Sequence, residues 1–301
     1  MKTNIRNTLL LFTTAIIWGF AFVAQSEGGN AVGPYSFGFF RSVIGAVVLI
    51  PVIALFDHMG ITQKREAKKE ILTGGILCGI FLSLTSIFQQ LGLYLGSEAG
   101  KAGFLTAFYI ILVPLFGLFA GRKCGRKVWI AVVLSLIGLY LLCMTSSIGL
   151  QKSDIMVLIC SAMCALHIIT VDRFAPVADV IRMSFVQFVT ASVICLIPTV
   201  LIDIPRDGMD IWLQSLHSPA AWITILYAGV LSSGVGYTLQ NIAQQDYNPT
   251  IASLILSLES VFSVIAGWLL LNQVLSGRQI TGCILIFIAI ILSQLPSKEK
   301  A

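Results

Sequence analysis

The chain has 301 residues, 57% of them hydrophobic and only 11% charged, with a mean hydropathy of +0.92 and a formal net charge of +5. A soluble domain carries about 25% charged residues, so a soluble fold is excluded and most of the outer surface must face lipid. The basic residues sit in short loops between apolar runs, not on a face with interleaved aromatics, which excludes nucleic acid as a partner.

Crossing the hydrocarbon core takes about 20 apolar residues in a helix. Ten runs approach that length: 8–26, 35–56, 71–95, 100–120, 128–145, 154–173, 180–202, 220–244, 250–271 and 279–295. They are continuously apolar and lack the alternation of a barrel, and unpaired backbone is untenable in lipid, so the expected fold class is all-α integral membrane with ten transmembrane helices.

The first run follows Lys2 and Arg6, and Ala24-Gln25-Ser26 loosely resembles a signal-peptide cleavage site. Its length and the membrane domain behind it predict a retained helix. Trp18 lies mid-span, away from the interfacial belt, where it either stacks on a solute, acts as a gate or packs between helices. In the second run Arg41 lies about two turns in. It either binds an anionic group in a cavity or snorkels to the headgroups.

The third run carries Gln89 and Gln90. The pairs Gly75/Gly79, Gly92/Gly96 and Gly117/Gly121 predict close helix packing, and Pro51, Pro114 and Pro198 predict kinks. In the sixth run Cys160, Cys164 and His167 share a helix face, but a fourth ligand for a metal is missing. The cysteines read as small fillers and His167 as a candidate for proton coupling. Cys78, Cys124, Cys143, Cys195 and Cys283 complete the seven cysteines, and no Cys-x-x-Cys pair predicts a disulfide framework.

In the eighth run Tyr237, Gln240, Asn241 and Gln244 follow i, i+3, i+4, i+7 spacing, one polar stripe on an apolar helix. It either walls a cavity or hydrogen-bonds between helices. Glu259 lies near the middle of the ninth run, where a charge costs roughly 2.5–3.5 kcal/mol on insertion scales. It is read as a cavity carboxylate that binds a cation or carries a proton, or as a buried carboxyl shared between helices.

Loop charge sets orientation. Lys2, Arg6, Lys64, Arg65, Lys68, Lys69, Arg122, Lys123, Arg126, Lys127, Arg173, Arg182, Lys298 and Lys300 fall on one side, against Lys101, Lys152, Arg206 and Arg278 on the other. This predicts a multi-pass protein of the cytoplasmic (inner) membrane with both termini cytoplasmic. The outer loop 203–219 carries Asp203, Asp207 and Asp210; the inner loop near Asp246 lacks any positive charge. The halves echo one another. Arg41 matches Gln187 at a shift of 146, and Gln89 matches Gln240 at a shift of 151, which also sets Gly125-Arg126-Lys127 beside Ser276-Gly277-Arg278. Five helices per half make the second half enter the membrane upside down. The expected halves are therefore two inverted repeats, 1–147 and 148–301, as recurs in secondary transporters.

Several motifs give these residues a family. Ala15-Ile16-Ile17-Trp18-Gly19-Phe20, Phe40-Arg41, Lys101-Ala102-Gly103-Phe104-Leu105-Thr106 with Val113-Pro114-Leu115, and Ser257-Leu258-Glu259-Ser260-Val261-Phe262 occur in order. Over nearly its whole length the chain resembles the EamA-type drug/metabolite transporters. Ser260 stands where that family has proline, and Asn272 where it often has glutamate. The resemblance implies a ten-helix inverted-repeat fold, a central cavity lined by helices 1–4 and 6–9, and peripheral helices 5 and 10.

The combined reading is a secondary transporter, exporter or facilitator, for a small polar organic metabolite, working by alternating access. Its expected substrate-binding residues are Trp18, Arg41, Gln89, Gln90, Tyr237, Gln240, Asn241, Gln244 and Glu259. No P-loop and no paired acidic Mg²⁺ motif is present, so neither ATP hydrolysis nor another enzyme activity is expected, and no cofactor or metal. The expected partners are a small-molecule substrate and the lipid bilayer, with proton or ion coupling and a homodimer left open. A membrane-embedded enzyme and a non-transporting receptor or scaffold are the rival readings.

Overall fold

The computed structural model describes residues 2–60, 67–97, 99–119, 121, 125–143, 151–271 and 276–294. Lys64, Arg65, Arg122, Lys123, Cys124, Asn272, Lys298 and Lys300 lie outside the described residues, as do the ends of the runs that close at 145 and 295.

The order is α1 (Lys2–Val32), α2 (Pro34–His58), α3 (Lys68–Tyr94), α4 (Ala99–Thr106), α5 (Tyr109–Phe119), α6 (Arg126–Cys143), α7 (Lys152–Phe174) and α8 (Val180–Pro198). A π-helical turn (Thr199–Asp203) leads to the short α9 (Ile204–Asp207) and α10 (Met209–Ser215). Then come α11 (Pro219–Leu226), a π-helical segment (Tyr227–Tyr237), α12 (Thr238–Ala243), a 3₁₀ turn (Gln244–Asp246), α13 (Pro249–Leu256), α14 (Leu258–Leu271) and α15 (Gly277–Gln294). Among the described residues, eight helical spans are long and apolar enough to cross a membrane: Ile5–Val32, Pro34–His58, Lys68–Tyr94, Ala102–Phe119, Lys152–Phe174, Val180–Asp207, Pro219–Asp246 and Pro249–Leu270. Two shorter apolar helices, α6 and α15, pack on each other. Ile5, Val47, Ile50, Leu201, Ile223 and Trp268 are exposed, an outer apolar surface that only lipid satisfies.

Helix starts follow local chemistry. Pro34 opens α2, where its missing N–H costs nothing. The residue before it, Gly33, has φ 92°, and a Cβ there would lie 2.6 Å from Asp203 Oδ2. Asp179 caps α8 by accepting from the N–H groups of Ile181 and Arg182, both at 3.1 Å. Asn248 and Pro249 open α13 in the same manner.

Numbered as the ten runs of the sequence, four spans depart from regular α-helix, the seventh through its closing π-helical turn Thr199–Asp203. The fourth breaks at Ala107–Phe108, a turn or two before Pro114, and the ninth breaks at Ser257 with no proline to force it. The eighth is π-helical over Tyr227–Tyr237, a run holding Gly229, Gly234 and Gly236. α1 runs unbroken through Ala24–Ser26 and reaches Val32.

Tight packing is set by small residues. Gly75 and Gly79 of α3 lie against α8, where a Cβ on Gly79 would stand 2.6 Å from the Gln187 carbonyl oxygen. Gly92 meets Val157 of α7. Gly96 and Gly121 differ from the packing role expected of them: both have positive φ, 93° and 78°, and a Cβ on either would meet nothing within 4 Å among the described residues. They follow helix ends, where left-handed backbone favours glycine. Helix partnerships mostly cross from one half of the chain to the other. α1 packs on α14 and on the eighth span, α3 on α7 and α8, α2 on α8 and the π-helical segment, and α4 and α5 on α7.

Candidate functional site

Among the described residues, three voids with shared lining follow one another through the bundle. The largest, about 130 Å³, is lined by Gln25, Gly29, Asn30 and Pro34 from α1 and α2 and by Gln90, Leu93, Tyr94 and Ser97 from α3 and its end. Its mouth residues Asn30 and Tyr94 are exposed. The second, about 40 Å³, shares Gln25 with the first and is lined by Trp18, Phe22, Arg41, Thr85, Ser86, Gln89, Thr106, Cys164, Ser232, Tyr237 and Glu259. The third, about 10 Å³, shares Trp18, Thr85, Cys164 and Tyr237 with the second and adds Leu82, Tyr109, His167, Ile168, Gln240 and Leu256. The way in is wide near Pro34 and narrows toward Gln240.

The second void is lined by two buried side chains that can carry charge, Arg41 and Glu259. Arg41 Nη1 donates to Gln25 Oε1 at 3.0 Å, its one hydrogen bond among the described residues. A guanidinium has five donors, so one hydrogen bond engages only part of this fork. The Tyr109 hydroxyl donates to Glu259 Oε1 at 3.2 Å. Tyr109 and Glu259 stand just past the breaks in the fourth and ninth spans, so those breaks turn the two side chains toward one another. Gln89 Nε2 donates to Thr106 Oγ1 at 3.4 Å on the same wall.

Trp18 and Tyr237 form the aromatic floor, with ring centroids 4.6 Å apart. Trp18 Nε1 donates to the Ser232 carbonyl at 3.2 Å, inside the π-helical segment. Gly236 permits this: a Cβ there would lie 2.7 Å from Trp18 Nε1. Tyr237 also meets His167 and Phe188 edge-on, at 5.6 Å and 5.8 Å. His167 Nε2 pairs with Gln187 Oε1 at 3.1 Å.

Among the nine residues singled out in the sequence, Trp18, Arg41, Gln89, Tyr237 and Glu259 surround the second void, Gln90 the first and Gln240 the third. Asn241 and Gln244 line none of these three. Asn241 Nδ2 donates to Ser184 Oγ at 2.8 Å, and Gln244 accepts from Gln240 at 2.8 Å and donates to the Ile168 carbonyl at 3.3 Å. The polar stripe therefore splits between cavity wall and helix seam. Cys160, Cys164 and His167 gather no metal-binding group: among the described residues, none of three or more His, Cys, Asp or Glu side chains is placed to hold an ion.

Gln25, Phe22, Tyr109, Thr106 and Ser232 escaped the sequence reading. For α1 a signal existed, since Trp18, Ala21, Phe22 and Gln25 repeat at i, i+3, i+4 and i+7 and all line the second void. Tyr109 had none, because its role depends on a contact 150 residues away.

The lining of this cavity comes from two stretches of the chain that match one and the same family model. The EamA-like transporter family matches residues 6–144 and again residues 151–295. The chain belongs to that family. This EamA-like protein is similar to an "Uncharacterized transporter" of Archaeoglobus fulgidus, 24% identical over 95% of this chain and 84% of the relative. It is also similar to the "Uncharacterized transporter YoaV" of Bacillus subtilis, 22% identical over 94% of each. A solved crystal structure shares the fold with a TM-score of 0.75 at 18% identity, covering 96% of both chains. Family, relatives and apolar spans make it a multi-pass membrane transporter.

Proposed function

We propose that this EamA-like protein is a secondary transporter, exporter or facilitator, that moves a small polar organic metabolite by alternating access between two inverted five-helix halves. The carrying observation is that Arg41 and Glu259, one from each half, line a single buried cavity floored by Trp18 and Tyr237. Burying a cation and a carboxylate at this depth without pairing them has a cost that a guest offsets. Arg41 takes an anionic group of the solute through its planar fork. Glu259 faces a cationic group or a coupling proton, and the rings cover the apolar part.

The inverted arrangement, with halves 1–147 and 148–301, has support in contacts that exchange between them. At the shift of 146 that pairs Arg41 with Gln187, Ser36 pairs with Arg182, Asp57 with Asp203 and Gly33 with Asp179. Arg182 binds Asp57, with Nη2 2.7 Å from Oδ1, at one end of the α2–α8 pair. At the other end Asp203 Oδ2 accepts from the Ser36 N–H at 2.7 Å and from its hydroxyl at 2.8 Å. The same two repeat positions, 36/182 and 57/203, thus meet twice, at opposite ends of an antiparallel pair. Likewise α1 on α14 answers α5 on α7, and α3 on α8 answers the π-helical segment on α2. Basic loops assign the Arg182 end and both termini to the cytoplasm and the wide void near Pro34 to the outside. The state described is then open outward and closed inward.

Liposomes containing the purified protein should exchange at least one member of a panel of small carboxylated metabolites without consuming it, and Arg41→Gln should abolish that flux. A panel left unmoved by the folded protein, or a solute chemically altered by it, overturns the reading.

A further inference from the structure

Among the described residues, Gln25 of α1 alone lines both the outer void and the void that holds Arg41. Both side chains are buried. A guanidinium has donors and no acceptor, so the Gln25 amide can meet it only with its oxygen. The 3.0 Å bond from Arg41 Nη1 therefore fixes the amide, with Oε1 toward Arg41 and Nε2 turned away. Among the described residues Gln25 Nε2 has no hydrogen-bond partner of its own.

The arginines that fasten helix ends are held by carboxylates. Arg182 binds Asp57 at 2.6 Å and Asp179 at 2.7 Å, and Arg206 binds Asp207 at 2.6 Å and Asp203 more loosely at 3.7 Å. Arg41 is more buried than either, yet it is in no ion pair among the described residues and rests on a neutral amide. The difference is chemical. A carboxylate beside Arg41 would cancel its charge and repel an arriving anion. An amide oxygen holds one N–H and leaves the charge whole. The repeat does not require this pair either. At the shift of 146, Gln25 and Arg41 become Val171 and Gln187, so the second half carries neither the charge nor its tether.

We propose that Gln25 is the positioning and specificity-determining residue of the anion site. It orients the Arg41 guanidinium without neutralising it, and it offers Nε2 as a further donor on the side of the outer void. A carboxylate entering from that void meets Gln25 Nε2 and then the unengaged N–H groups of Arg41, so the two side chains read its two oxygens together. A neutral amide analogue sets an NH₂ group against one of those donors and is rejected. The proposal rests on the reading of Arg41 as the anion-binding group and deepens it.

Two substitutions separate this role from simple bracing. Gln25→Glu keeps an oxygen for Arg41 but turns the tether into an ion pair. Gln25→Met fills similar space with no acceptor. Bracing alone predicts a sound glutamate variant and a damaged methionine variant; the proposal predicts the reverse order for anion selectivity. The readout is the rate at which glyoxal, a small neutral guanidine-reactive dicarbonyl, modifies Arg41 in the purified full-length protein, followed by peptide mass spectrometry. Formate, acetate and benzoate are the probes, and formamide, acetamide and benzamide their neutral controls. In the unsubstituted protein the carboxylates should protect Arg41 at concentrations on the order of tenfold lower than the amides do. That preference should vanish in Gln25→Glu and fall to about threefold in Gln25→Met, where the charge remains and one donor is lost. Gln25→Met carries the test alone should Gln25→Glu fail to fold. An undiminished preference in either variant overturns the proposal. If it persists in the variants as in the unsubstituted protein, Gln25 alone is rejected and Arg41 keeps its role. If no carboxylate protects Arg41 even in the unsubstituted protein, the anion-binding reading of Arg41 falls together with the proposal.

Discussion

Gly19 holds α1 and α14 together at the level of the cavity, and replacing it by alanine puts the helix arrangement to a measured test. A Cβ at Gly19 would lie 2.3 Å from Phe262 Cβ, 2.8 Å from the Phe262 carbonyl carbon and 2.9 Å from the Glu259 carbonyl oxygen. Ordinary contact starts near 3.5 Å, so the two helices must separate by about 1 Å, and two of the three obstacles are backbone that cannot rotate away. Overpacking of this kind costs roughly 1–3 kcal/mol, while alanine in place of glycine in a helix returns about 1 kcal/mol. The net expectation for Gly19→Ala is a loss of up to about 2 kcal/mol. Gly103 of α4 is the control, since a Cβ there meets nothing within 4 Å among the described residues and Gly103→Ala should only gain. The assay is thermal unfolding of both purified variants in one detergent at one heating rate, because such unfolding is commonly irreversible and rate-dependent. Gly19→Ala should melt several degrees below the unsubstituted protein and Gly103→Ala at or above it. Because the displaced segment carries Glu259, solute flux should fall as well. A Gly19→Ala protein as stable as Gly103→Ala would refute the close approach of α1 to α14.

Arg41→Lys should fold but bind a carboxylated solute roughly tenfold or more weakly, because an ammonium replaces neither the planar fork nor its bond to Gln25; equal apparent affinity in flux assays would remove Arg41 from the solute site. Glu259→Gln keeps an acceptor for the Tyr109 hydroxyl and should leave stability nearly unchanged while flux stops responding to an imposed proton gradient. A response as large as before would exclude Glu259 from coupling. Asp57→Asn removes an ion pair whose side chains are 19% and 27% exposed, so solvent screening limits the loss to about 1 kcal/mol, and Arg182 keeps Asp179 at 2.7 Å. A melting temperature far below that of the unsubstituted protein would show that this end of α2 and α8 depends on Asp57 alone.

Much of this molecule is written in its apolar runs. Long stretches without charge leave a helix as the only structure that pairs every backbone group in lipid, so eight of the ten expected spans and the family motifs were readable from residues alone. The same one-dimensional pattern marked Trp18, Arg41 and Glu259, because a charge or a mid-span tryptophan in hydrocarbon stands out whatever its neighbours are. Which of these residues share a cavity was decided by packing. Tyr237 and Asn241 are four positions apart on one helical stripe, yet Tyr237 floors the central void and Asn241 bonds to Ser184 in a seam. Helical periodicity says which face a residue occupies; it does not say which helix lies opposite. The π-helical turns of the eighth span, the break at Ser257 that brings Glu259 under Tyr109, and the pinning of α2 to α8 by Asp57 and Asp203 all join residues more than 100 positions apart or depend on such joins. Contacts of that kind arise from the folded arrangement of helices, where each side chain's partner is set by shape and distance and no local stretch of sequence records it.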